Sequence, residues 1–185
     1  MATVALTKEQ YQDIIETMQT GGNGFRANPR IAAALQLEAN LGLRVGDVLH
    51  LRLVDIIRDG NRYRLNIKEE KTNKKRSFTV PAEIYSWLRD YADANGIGKE
   101  DRLFPLTVRA VQKQLKLVCD YLELENVSTH SFRKFLATNI YENSGHDIVL
   151  VQTILQHASP AITRRYIGIS EDDVEQALVS NVNLI

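Results

Sequence analysis

The sequence predicts an α+β fold that is mainly helical, with one small three-stranded antiparallel sheet near its middle. Apolar residues recur at helical spacing through most of the 185 residues, but between Arg52 and Val80 the period shortens to two around an Asp59-Gly60 turn. Hydrophobic residues make up 44% and charged residues 25%, and no apolar run approaches the roughly 18 residues of a membrane span. This excludes a membrane protein, a disordered chain and a fibrous repeat. No linker, repeat or low-complexity stretch divides the chain, so residues 1–185 are expected to form a single domain.

Thr7-Lys8-Glu9-Gln10 has the form of a capping box, and Tyr11, Ile14, Ile15 and Met18 follow at helical spacing until Gly21-Gly22. Asn28-Pro29 supplies an N-cap and an N1 proline for a second helix, which runs into LGLRVGDVLHL and makes Ala32 to Leu51 a buried spine. LVDII, YRLNI and RSFTV are the three strands, the last ending at Pro81. AEIYSWLRDYADANG, TVRAVQKQLKLVCDYL and HSFRKFLATNIYENSG each read as a helix. Shorter helices are expected from Asp147 to Gln156, after Ser159-Pro160, and after Ser170-Glu171-Asp172-Asp173.

Lys and Arg number 23 against 23 Asp and Glu, so no global field draws this chain to nucleic acid. The charge is segregated, however: Arg62 to Arg76 carries a net five positive charges, and Ser170 to Ile185 is acidic without a Lys or Arg. On the helix from Val108 to Tyr121, Arg109, Lys113 and Lys116 form a basic stripe opposite Val111, Leu115 and Val118. That stripe is either a solvated face or a backbone-tracking one. One cysteine, Cys119, forms no internal disulfide and reads as a small buried hydrophobe; with no secretory pattern at MATVALTKEQ, a cytoplasmic location is expected. His50, His130, His146 and His157 show no metal-ligand spacing, and no glycine-rich nucleotide motif occurs. No metal or other cofactor is expected.

Six residues near the ends of predicted elements could carry chemistry: Arg44, Lys71, His130, Arg133, His157 and Tyr166. Singly, each has a plain structural reading. Arg44 could be a buried arginine paired with Asp47, Lys71 a solvated lysine of a hairpin tip, His130 and Arg133 ordinary first-turn residues, and Tyr166 a packing tyrosine. Order, spacing and context together reverse that.

The combination resembles the catalytic domain of the tyrosine recombinases, the phage-integrase family. LGLRVGDVLHLRLVDI is similar to the family's first arginine box, with Arg44 as the arginine and Asp47, judged structural, at the acidic position. KTNKKRSFTVP resembles its hairpin lysine segment, with Lys71 as the match. His130-Ser131-Phe132-Arg133 resembles the second box, and LQHASPAITRRYI the last, with His157 and Tyr166. The likeness spans about Thr7 to Ile167. Gln156 stands where the family commonly has glycine, and Phe132 and Lys134 replace its usual leucine and histidine. Most relatives carry an N-terminal core-binding domain, for which this chain has no room; it reads as an excised catalytic domain or a naturally minimal recombinase.

The resemblance implies site-specific cutting and rejoining of DNA through a 3′-phosphotyrosine, without metal or ATP. The residue types suit that reaction. Tyr166 would be the nucleophile; Arg44 and Arg133 are planar forks that clamp phosphate oxygens bidentately. By resemblance Lys71 would be the general acid, His130 would assist proton transfer with Tyr166, and His157 would donate a hydrogen bond to the phosphate. Lys74, Lys75, Arg76, Arg109, Lys113 and Lys116 are the expected DNA contacts. The expected partner is double-stranded DNA carrying a specific site, bound by a chain that is monomeric when free and tetrameric on DNA, with an accessory protein as an open further partner and no membrane. Val182, Leu184 and Ile185 in a tail over residues 179–185 would either fray or dock on a neighbouring protomer. A type IB topoisomerase-like nicking-closing enzyme and a non-catalytic DNA-binding regulator are the alternatives.

Overall fold

A computed structural model describes residues 3–69, 73, 75–157, 159–168 and 179–180. Helix α1 (Lys8–Thr20) opens on the expected capping box: Thr7 Oγ1 accepts from the Gln10 amide at 3.1 Å, and Gln10 Oε1 accepts from the Thr7 amide at 3.0 Å. Helix α2 (Pro29–Leu41) starts at Asn28, whose side chain accepts from the Ile31 amide, and has proline in its first turn. The spine does not continue as one helix. Gly42 adopts a left-handed conformation, φ 58°, and the chain restarts as α3 (Val45–His50).

A short 3-10 turn (Leu53–Asp55) replaces the start of the first expected strand. The antiparallel sheet that follows has the order β1 (Ile56–Asp59), β2 (Arg62–Lys68), β3 (Lys75–Val80), with Leu65 paired to Ile56 on one side and Phe78 on the other. Then come α4 (Ala82–Ala94), α5 (Val108–Tyr121), α6 (Thr129–Asn143), α7 (Ile148–Leu155) and α8 (Pro160–Ile167). The helix expected after Ser170 and the tail residues Val182, Leu184 and Ile185 lie outside the described residues.

Helix α2 is the centre of the main core and packs on α1, α3 and α6. A separate, smaller core of Ala137, Val151 and Leu155 joins α6 to α7, with Tyr166 and Ile167 of α8 against it. Among the described residues no helix is long and apolar enough to cross a membrane.

Candidate active site

The site forms where the C-terminal ends of α2 and α7 meet the side chains of α6, α8 and the hairpin. Gly42 suits this junction chiefly by its φ of 58°, while a Cβ there would come within 2.9 Å of Leu136 Cδ2 and 3.1 Å of Leu155 Cδ2 and oblige those side-chain ends to shift. Arg44 follows in extended conformation just before α3 and donates from Nη1 to Glu69 Oε2 at 2.6 Å. The other oxygen of Glu69 accepts from Arg76 Nη1 at 3.0 Å, so one buried carboxylate holds two guanidinium groups.

Arg76 corrects the sequence expectation of a DNA contact. It is 0% exposed, and its Nη2 donates to the carbonyls of Gly42 at 3.2 Å and Ile154 at 2.9 Å. Its pairing with Glu69 and these carbonyls turn it inward as a structural tie between α2, α7 and the hairpin.

Arg133, on the second turn of α6, is 2% exposed. Its Nη1 donates to the Gly42 carbonyl and its Nη2 to the Leu155 carbonyl at 2.6 Å. Burial, with Arg76 and Arg44 acting the same way, pulls its pKa down to about 10, which leaves it a cation at neutral pH.

His157 follows α7 directly. Gln156 before it closes the helix in a left-handed conformation, φ 53° and ψ 42°, which shows why glycine suits this position and where the glutamine is accommodated. His157 Nδ1 lies 3.0 Å from Thr163 Oγ1, and its ring meets that of Tyr166 edge-on at 4.9 Å. Burial first, then Arg133, Arg44 and Arg76, lower its pKa to about 4, so the imidazole is neutral at pH 7.

The Tyr166 hydroxyl is buried without a hydrogen-bond partner among the described residues. The Arg133 guanidinium stands close enough to favour the phenolate, but outside hydrogen-bond geometry. Burial outweighs it and pushes the Tyr166 pKa up to about 12. Lys134 Nζ lies 5.4 Å from the centre of the Tyr166 ring and donates to the Thr3 carbonyl at 2.7 Å.

Arg44, Arg133, His157 and Tyr166, four of the six residues singled out in the sequence, thus share one electrostatic environment. The residues from 5 to 172 match the family model described as the phage integrase family. The chain belongs to the phage integrase family. It is 34% identical to the probable integrase/recombinase YoeC of Bacillus subtilis over 143 residues, 75% of this chain and 77% of that protein. It is 26% identical to the tyrosine recombinase XerH of Campylobacter jejuni, covering 93% of this chain and 50% of that one, so it spans about half the length of that relative. Among solved structures, XerH bound to its difH substrate before cleavage matches with a TM-score of 0.69 at 25% identity, over 95% of this chain and 53% of that one. The catalytic domain of bacteriophage HP1 integrase shares the fold, with a TM-score of 0.64 at 18% identity over 97% of this chain and 95% of that one. The fold is that of a tyrosine recombinase catalytic domain, and the enzyme class is the tyrosine recombinases.

In this integrase-family chain His130 is exposed on the first turn of α6, three residues before Arg133. Lys71 and Lys74 lie outside the described residues. Lys75 is exposed at the start of β3, and Arg109, Lys113 and Lys116 are exposed on α5 while Val111, Leu115, Val118 and Cys119 are buried. Lys116 pairs with Asp120 at 2.9 Å. Sequence reasoning missed Thr163, Glu69 and Glu38. Only Glu38 left a signal, as the one acid in the apolar run of α2.

Proposed function

We propose that this integrase-family chain is a site-specific DNA recombinase whose catalytic unit is the single domain of residues 1–185. The observation that carries the reading is the cluster in which the His157 ring meets Tyr166 and the Arg133 and Arg44 charges both favour its phenolate. The Tyr166 oxygen attacks the scissile phosphorus and the bond to the 5′ oxygen breaks, leaving a 3′-phosphotyrosine; the phenol proton leaves with help from His130, and Lys71 protonates the departing 5′ oxygen. The new bond keeps the energy for rejoining, so the reverse step needs no ATP. Arg44 and Arg133 stabilise the charge on the non-bridging oxygens, an electrostatic contribution of about 3 kcal/mol for one such group. His157, neutral with Nδ1 facing Thr163, offers its Nε2 as the donor to the phosphate.

The free chain holds its nucleophile off. With the Tyr166 pKa near 12 the phenol stays protonated, and the phosphate with the Lys71 segment must complete the site before it ionises. The substrate is double-stranded DNA. Support comes from XerH, solved on its difH substrate, and from lambda integrase, a fold relative solved as a dimer on a core site. Assembly on DNA as a tetramer of chains that are monomeric when free extends that support, with Lys74, Lys75, Arg109, Lys113 and Lys116 tracking the backbone in the cytoplasm. Neither a nicking-closing enzyme nor a non-catalytic regulator is favoured by the named relatives.

Covalent trapping tests this. Suicide DNA substrates bearing a nick or a 5′-bridging phosphorothiolate should give a denaturation-resistant protein–DNA adduct with the native chain and none with Tyr166→Phe. An adduct that persists in Tyr166→Phe would overturn the assignment of the nucleophile.

A further inference from the structure

Glu38, on α2, is fully buried, and neither of its carboxyl oxygens closes a hydrogen bond of full geometry among the described residues, the Val45 backbone bearing on them only weakly. A buried polar group normally finds a partner, and a buried charge almost always does. Its own carbonyl accepts from the Gly42 amide at 2.9 Å, one turn before the Gly42 carbonyl takes the Arg133 bond. Arg133 of α6, Tyr166 of α8 and the Val45 backbone at the start of α3 lie within its electrostatic reach.

We propose that Glu38 is a positioning residue acting through Arg133: neutral, it leaves the guanidinium charge to the scissile phosphate and the Tyr166 oxygen, and ionised, it holds that charge back. The proposal rests on the recombinase reading above for its catalytic half only. Burial raises the Glu38 pKa well above the usual carboxylate range, with Arg133 and the Val45 backbone opposing it more weakly. A group whose folded pKa is raised costs nothing below its unfolded pKa, near 4.5. The cost grows as pH climbs from there toward the folded pKa.

Two measurements on Glu38→Gln and Glu38→Leu decide it. In thermal melts, each variant should gain on the native chain by about 3 °C or more between pH 5 and pH 8, since a tenfold change in the ionisation equilibrium moves the midpoint of a domain this size by that much. In covalent trapping, the ratio of the Glu38→Gln rate to the native rate should rise several-fold as pH is raised through the range in which the melting difference shows Glu38 ionising, because ionised Glu38 also disfavours the Tyr166 phenolate. The Leu variant keeps the melting arm decisive if the amide packs poorly. A variant-minus-native melting difference independent of pH, or parallel rate profiles, would overturn the proposal. Loss of adduct in the native chain strikes the recombinase reading instead, and the melting difference then decides the charge state of Glu38 by itself.

Discussion

The phosphate-binding and nucleophilic halves of the site are built differently. Arg133 and Arg76 are sunk between α2, α6, α7 and the hairpin, and each donates to backbone carbonyls at two helix ends. Tyr166 rides on α8, an eight-residue helix resting on a small core of Ala137, Val151 and Leu155, beside the exposed apolar residues Val149, Leu150 and Ile162. The clamp is fixed by the main core, whereas the nucleophile is attached by a satellite one. Local stability follows buried apolar contact, so α8 is expected to open, in amide hydrogen exchange, before α2 and α6 do.

Substitution at Arg76 breaks this comparison most severely. Arg76→Ala removes one of the two guanidinium groups on Glu69 and the side-chain donor to the Ile154 carbonyl, and should cost about 3 kcal/mol of stability in a denaturant melt. Lys113→Ala, on the exposed face of α5, should leave the melt unchanged and lower the salt dependence of DNA binding by about one phosphate contact. If the two behave alike, the inward assignment of Arg76 is wrong.

A smaller effect belongs to His157. Its folded pKa lies near 4 against an ordinary 6.5, so the folded state binds fewer protons between those values, and stability is lost as pH falls through that window. His157→Gln should remove roughly 1 kcal/mol of that loss, a figure reduced for solvent screening, measured as the difference in unfolding free energy between pH 7 and pH 4.5. An unchanged difference would mean that the imidazole is not held neutral by its surroundings.

The smallest effect sharpens the α7 end of the comparison. Gln156→Gly relieves a left-handed non-glycine residue at the price of a freer unfolded chain, for a net gain of about 0.5 kcal/mol in a melt. A loss of 1 kcal/mol or more would show that the glutamine side chain contributes contacts of its own.

Much of this was legible beforehand for physical reasons. The helices follow from periodicity and caps such as Thr7 and Asn28, and the hairpin from alternation around Asp59-Gly60. Arg44, Arg133, His157 and Tyr166 could be singled out because their order and spacing resemble the boxes of the tyrosine recombinases and their side-chain types suit the chemistry. Arg76 was misplaced because its neighbours Lys74 and Lys75 made the stretch look uniformly solvated, although in a strand alternate residues face opposite sides: Lys75 is exposed and Arg76 buried. The break at Gly42 was lost in a run of apolar residues on both sides of it, and Thr163 meets His157 only because α8 folds back on the end of α7.

The carbonyls that receive Arg76 and Arg133 belong to Gly42, Ile154 and Leu155, and a main-chain oxygen is supplied by any amino acid. Apart from the Glu69 carboxylate on Arg76, the seats of these two cations are therefore written in the path of the chain and not in its side chains. Drift at positions 154 and 155 among apolar residues of similar volume can proceed without unseating either arginine, and a designer could recode that shell freely provided the two helix ends still stop where they do.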